Sequence, residues 1–229
     1  MDSYYPLFAS LENKICVVVG GGQVAERKVR RLLECGATVN LIAQHLTPWL
    51  EEKRRAGLVC LISRSYEDFL IDHADLVFAA TDSPDLNRRI ARYAARKRIW
   101  CNSATDPEES SFLVPAVVRR GPLSIAISTS GLSPAAARKI RLQLEEQFGK
   151  EWERYLGLLG ALRKAIHTKR LESEENQRIF RNLVELPLLE WIRQGRRTEV
   201  LGAISRICQS LLSEGEITEI WDEAWKVSS

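Results

Sequence analysis

One stretch, KICVVVGGGQVAERKVRRLLECGATVNLIA at residues 14–43, constrains the fold more than any other part of this chain. An apolar run from Ile15 to Val19 meets three glycines and then a segment with helical apolar spacing. Gly20-Gly21-Gly22-Gln23-Val24-Ala25 fits G-x-G-x-x-A, in the strand, loop and helix setting that gives the pattern its meaning. Gly20 permits a tight turn, Gly22 lets a pyrophosphate approach the backbone, and Ala25 lets the helix lie close to the strand. The amides at the start of that helix, at Gln23 and Val24, attract the phosphates. A plain glycine turn without a ligand is the weaker reading in this context.

The same alternation continues. Apolar runs at Thr38 to Ile42, Leu58 to Ile62, Leu76 to Ala80 and Ile99 to Asn102 predict strands. Gln23 to Cys35, Thr47 to Ala56 and Pro84 to Arg96 predict the helices between them. The class is therefore α/β, a Rossmann-like doubly wound parallel sheet. Past Asn102 the pattern changes. SFLVPAVVRR, the Gly121-Pro122 turn and LSIAIST predict an antiparallel β-hairpin, and Ser133-Pro134 caps a helix that runs to about Phe148. From Lys150 onward only helical stripes follow. The expected division is 1–111 for the nucleotide domain, 112–149 for a central region and 150–229 for a small helical C-terminal domain.

Of 229 residues, no apolar run reaches the roughly 20 needed to cross a bilayer. The first residues lack the basic start and apolar core of a secretory signal, so the expectation is a cytoplasmic protein without a membrane partner. Five scattered cysteines contain no CxxC pair and are expected as buried reduced thiols. A net charge of +3 gives no argument for nucleic acid, and the basic clusters at Arg27 to Arg31, Arg88 to Arg98 and Arg193 to Arg197 are expected as solvated helix faces. His45, His73 and His167 show no metal-ligand spacing, so no resident metal is expected.

The far end of the second strand offers Asn40, Ile42 and Ala43, where an acid would normally hold the adenosine ribose. No arginine follows that strand directly, and the expectation is NAD with a moderate preference over NADP. Thr81 and Asp82 follow the fourth strand at a carboxyl end, and Asn87 and Asn102 lie close by in sequence order. All four are candidate cofactor contacts, with helix capping as the competing role for Thr81, Asp82 and Asn87.

Four segments occur in a particular order: VVVGGGQVAERKV, FAATDSPDLNRRI, CNSATDPEESSFLVPAVVRRGPLSIAISTSG and LSPAAARKIRLQLE. Together they resemble the precorrin-2 dehydrogenase family, the N-terminal module of siroheme synthases, over about Leu7 to Phe148. The resemblance implies an NAD-binding Rossmann domain, a dimerisation region and a helical C-terminal domain, assembled as a homodimer. It implies oxidation of precorrin-2 to sirohydrochlorin with NAD as acceptor, and in some members insertion of Fe(II) as a second substrate.

A tetrapyrrole with eight carboxylate side chains calls for apolar surface and cationic groups together. Arg119, Arg120 and Arg138, with Lys139 and Arg141 beside them, form the candidate cationic cluster, any single one of which reads alone as a solvated surface group, and Ser128, Ser130 and Gly131 form the candidate carboxylate-binding turn or simply a helix entry. Asp106 is the candidate base, or in a ferrochelatase a group that helps deliver iron, with turn formation before Pro107 as its alternative role. The family usually has an aspartate one place earlier, where this chain has Thr105. Three readings remain: a dehydrogenase, a bifunctional dehydrogenase and ferrochelatase, and a nucleotide- and tetrapyrrole-binding protein without turnover.

Overall fold

The computed structural model describes residues 4–169, 172–208 and 211–226. It divides into two compact units, one from the N-terminus to Val114 with Ser130–Leu132, the other comprising Pro115–Thr129 and Ser133 onward.

The first unit holds five strands, β1 (Ile15–Val19), β2 (Thr38–Ile42), β3 (Val59–Ser63), β4 (Leu76–Ala79) and β5 (Trp100–Ser103). They form one sheet in the order β3-β2-β1-β4-β5, with every pairing parallel. Three helices connect them: α1 (Gln23–Glu34), α2 (Pro48–Arg55) and α3 (Pro84–Arg96). A short 3-10 turn at Asp68–Ile71, which the apolar pattern did not signal, precedes β4. Ala25, Val29, Leu32 and Leu50 from α1 and α2 pack on one face of the sheet with Val18, Leu41 and Phe78. Ile90, Ala91 and Ala94 from α3 pack on the other with Val17, Val19 and Val77. Both faces are thus covered, which is why the central strands read as unbroken apolar runs. Strand order reverses between β1 and β4, and the chain leaves these neighbours toward opposite faces. That divergence opens a crevice at their carboxyl ends.

Two strands begin one residue later than the apolar pattern suggests, for the same reason. Leu58 donates its N–H to Lys53 O and Gly57 donates to Arg54 O, so both residues close the end of α2 in a Schellman cap. Ile99 and Arg98 do the same for α3, donating to Ala94 O and Ala95 O. Gly57 takes the left-handed conformation this cap requires at φ 73°, and Arg98 takes it at φ 59° without being glycine. An apolar residue in a helix cap looks like the first residue of a strand. Its hydrogen bond belongs to the helix.

Two of the five cysteines depart from the expected burial. Cys16, Cys101 and Cys208 are buried, but Cys35 is only half-buried, and Cys60 is exposed because β3 is an edge strand with an uncovered face. Burial pushes the Cys16 and Cys208 thiols up to about 11 and Cys101 up to about 12, so these three are inert at neutral pH.

The second unit opens with the hairpin β6 (Ala116–Arg120) and β7 (Leu123–Ile127), paired antiparallel around the two-residue loop Gly121-Pro122. Helix α4 (Pro134–Gln147) starts at a Ser133 cap whose hydroxyl accepts from the Ala136 N–H, with proline at the first helical position. Five helices follow: α5 (Glu151–His167), α6 (Ser173–Glu185), α7 (Leu188–Arg193), α8 (Arg197–Cys208) and α9 (Glu214–Lys226). Leu158, Leu162, Leu183, Leu188, Ile204 and Ile217 form their common core.

Candidate functional site

The glycine loop closes over the carboxyl end of β1. Gly20 donates its N–H to Ile42 O at 2.9 Å and sits at φ 125°, where a Cβ would lie 2.2 Å from Ala80 O. Both features exclude any other residue there. Gly21 lies as closely against the segment after β2, since a Cβ on it would meet His45 O at 1.9 Å and the Ala43 Cβ at 2.9 Å. Gly22 differs. It caps α1 with extended backbone, φ −84° and ψ −171°, and a Cβ on it would meet nothing within 4 Å. The loop is thus pinned by its first two glycines and open at its third.

No side chain caps the first turn of α1, so its amides at Gln23, Val24 and Ala25 are not satisfied in that way. Ala25 is fully buried against the sheet, as the motif requires, and Val24 is exposed beside the open space. Glu26, the acid of this turn, is drawn aside: its carboxylate accepts from Thr47 Oγ1 at 2.5 Å and from Arg30 at 2.5 Å. The Thr47 hydroxyl first, and the Arg30 guanidinium second, hold Glu26 below the usual carboxylate range. The open space at Gly22, the uncapped amides and the diverted acid together fit a pyrophosphate.

At the neighbouring strand end, Asn87 is fully buried and uses its whole hydrogen-bonding capacity. Its Oδ1 accepts from Thr81 N at 3.1 Å and Thr81 Oγ1 at 2.7 Å, and its Nδ2 donates to Thr81 O at 2.9 Å and Thr105 Oγ1 at 3.1 Å. Asn87 therefore shapes the loops after β4 and β5, and has no hydrogen bond to spare for a ligand. The cap of α3 is Ser83, whose hydroxyl accepts from Leu86 N, which leaves Asp82 exposed at the strand end.

Asn102 is likewise engaged, accepting from Lys28 Nζ at 2.8 Å and donating to Phe112 O at 3.1 Å. Lys28 lies 5.4 Å from the centre of the Phe78 ring, and burial first, then the neighbouring Arg27 charge, lowers its pKa. The segment after β5 is stitched back along that strand's free edge. Ser111 Oγ accepts from Cys101 N at 2.7 Å and Ser110 Oγ from Ser103 N at 2.9 Å, so serine hydroxyls satisfy an edge that has no neighbouring strand. The intervening loop is also tied to α3. Asp106 Oδ2 lies 3.6 Å from Arg88 Nε, and Glu109 pairs with Arg92 at 2.7 Å. Asp106 is thus a partly exposed carboxylate on a fixed loop beside Thr105, at the carboxyl end of the sheet.

Arg119, Arg120, Ser128 and Arg138 belong to the second unit, and Ser130 and Gly131 to the first. Arg120 is engaged internally, donating to Glu145 O at 2.9 Å near the end of α4 and to Arg119 O at 2.7 Å. Arg119 and Arg138 are exposed, as is Ser128. Ser130 and Gly131 both take positive φ, at 51° and 81°. The Ser110 and Ser111 edge bonds and the Lys28 to Asn102 contact were not foreseen from sequence. Residues 28 and 102 are far apart in the chain, and only the strand order β1-β4-β5, across which Lys28 reaches past the Phe78 ring, brings them together.

A doubly wound sheet with an open, uncapped glycine loop at its switch point defines the dinucleotide-binding class of protein. Comparison with known proteins agrees. Residues 7–116 match a family model described as "Putative NAD(P)-binding", and residues 120–147 match one described as "Sirohaem biosynthesis protein central". Over these segments the chain belongs to the siroheme synthase family. It is 36% identical over 219 residues to a siroheme synthase of Xylella fastidiosa, covering 95% of this chain and 45% of that protein. With siroheme synthase 2 of Cronobacter sakazakii it shares 32% identity over 211 residues, covering 92% of this chain and 46% of the relative. The chain thus spans about half the length of the curated relatives it matches. Among solved structures, that of SirC, a precorrin-2 dehydrogenase, aligns with a TM-score of 0.71 at 22% identity, over 89% of this chain and 100% of that one. That likeness shows the fold.

Proposed function

We propose that the chain is an NAD-dependent dehydrogenase that oxidises precorrin-2 to sirohydrochlorin, acting as a homodimer through the 112–149 region. The observation that carries this reading is the open third glycine at an uncapped helix start, in a chain of the siroheme synthase family. The backbone of Gly20 to Val24 would hold the pyrophosphate, with Ala25 setting the closeness of helix and strand. Asn87 would support the nicotinamide end indirectly, by fixing the Thr81 and Thr105 loops.

The bound nicotinamide supplies a hydride acceptor. Loss of a hydride and a proton from precorrin-2 balances the oxidation, and Asp106 Oδ is the proposed proton acceptor. Arg119 and Arg138, exposed and cationic, would meet the carboxylate rim of the substrate. Arg120 would act through them, since it is occupied in joining the hairpin to α4. NAD is the proposed acceptor, with its preference over NADP moderate because Ala43 supplies no carboxylate to the ribose.

A second reading is favoured by Thr105, which takes the place of the family's usual acid and is spent on the Asn87 amide. It is a protein that binds nucleotide and tetrapyrrole without turnover. One anaerobic experiment separates the readings: add precorrin-2 and NAD, follow reduced nicotinamide, then add Fe(II) and follow siroheme. Reduced nicotinamide alone supports the dehydrogenase, siroheme in addition supports the bifunctional enzyme, and NAD binding without reduction supports the second reading.

A further inference from the structure

We propose that the hollow beyond β2 is a 2′-phosphate subsite, with Arg64 as its cation, so that the nucleotide site takes NADP as well as NAD. This inference rests on the cofactor reading above and concerns the opposite end of the same ligand. The glycine loop and the segment after β2 touch through Gly21, Ala43 and His45, and Thr47 N donates to Gly21 O at 3.0 Å. A dinucleotide whose pyrophosphate lies on α1 therefore extends its adenosine ribose over residues 43–45.

There the surface forms an open hollow of about 280 Å³ lined by Gln44, His45, Glu51, Arg54 and Arg64 among others. Arg54 is already committed to Glu51 through two hydrogen bonds of 2.8 and 2.7 Å. Arg64 is not: its Nη1 donates to Gln44 O at 3.2 Å, and no carboxylate lies within ion-pair distance among the described residues. Two guanidiniums against one carboxylate leave the wall cationic.

The placement of Arg64 comes from a fault in strand register. Leu41 pairs with Leu61 but Ile42 pairs with Ser63, so β3 carries one extra residue at this point. Ala43 N then donates to Ser63 O at 3.1 Å, and Arg64 comes level with Ala43. Ala43 stands where an NAD-selective site has the acid that accepts the ribose hydroxyls and repels a phosphate. This chain has a methyl group there and a guanidinium alongside. Arg64 can remain on the Gln44 carbonyl through Nη1 and turn its other N–H groups to a phosphate, since a guanidinium carries five donors.

Calorimetry on the full chain with NAD and NADP tests the proposal. The wild type should bind NADP within about tenfold of NAD. Arg64→Ala should weaken NADP on the order of tenfold, the low end for a charge-assisted bond at an exposed site, and leave NAD within about twofold. Arg64→Lys should recover part of the NADP affinity, and the Arg64-dependent difference should shrink as salt is raised. Equal weakening of both nucleotides, an unchanged NADP affinity in Arg64→Ala, or a wild type that binds NAD but not NADP would overturn the subsite and leave the cofactor reading standing. Binding of neither nucleotide to the wild type would remove both.

Discussion

Replacing Gly22 with valine separates the fold of the glycine loop from its ligand. Gly22 has extended backbone that any residue adopts, and its Cβ direction is empty to 4 Å, so the isopropyl group meets no protein atom at its root. As an N-cap, valine is poorer than glycine, a loss on the order of 1 kcal/mol, and the unit should stay folded. The pyrophosphate of NAD would occupy that same empty direction. Displacing it from one or two charge-assisted hydrogen bonds forfeits about 3 kcal/mol, which raises Kd on the order of 100-fold. Gly20→Val is the contrasting change: φ 125° and a Cβ 2.2 Å from Ala80 O predict a folding defect, so lost binding there is uninformative. The assay is calorimetric titration with NAD, paired with a thermal melt of the same preparation. A folded Gly22→Val protein that binds NAD with unchanged affinity would refute the placement of the pyrophosphate.

Further expectations follow from the same geometry. Asn87→Ala strands the Thr81 backbone and the Thr105 hydroxyl, and should cost roughly 2–4 kcal/mol, on the order of 10 °C in Tm; a melt that does not shift would show that water replaces the amide. Asp106→Asn preserves shape and removes basicity, so turnover should fall roughly 100-fold while NAD binding persists, and full activity would make the residue a loop former only. Helix α4 buries Ala137 and exposes Ile140 and Leu142, which a second copy would cover; sedimentation should give a homodimer, and a stable monomer at micromolar concentration would count against it. Glu26, Asp72, Asp75 and Glu151 are all held below their ordinary values of 4.5 for Glu and 3.8 for Asp, by Thr47, Tyr93, Lys14 and Arg193 respectively. A depressed carboxylate contributes stability above its ordinary pKa and loses it as pH falls, so Tm should hold down to about pH 5 and decline below about 4.5. A decline that begins near neutrality would point to other groups.

The sequence by itself determined the order of elements and the class of ligand. Val17, Val18 and Val19 could only be a strand covered on both faces, and glycines between such a strand and a helix have few other uses. These signals are local: apolar periodicity, a cap residue or a proline act within one or two turns of chain. Strand starts at Leu58 and Ile99 are not legible locally, because a Schellman cap and a strand both place an apolar residue after a turn. The site was legible in outline and not in its roles. Asn87 is a candidate by position, but only the tertiary structure shows its four hydrogen bonds turned inward, joining loops 6 and 18 residues away. Arg64 carried no signal at all, since it follows the third strand, 21 residues beyond Ala43 by numbering. It reaches the nucleotide edge because β3 pairs with β2 one residue out of register. Composition and spacing fix which groups a chain possesses. The pairing of distant strands, whose hydrogen bonds are formed only when the sheet assembles, decides which of those groups meet.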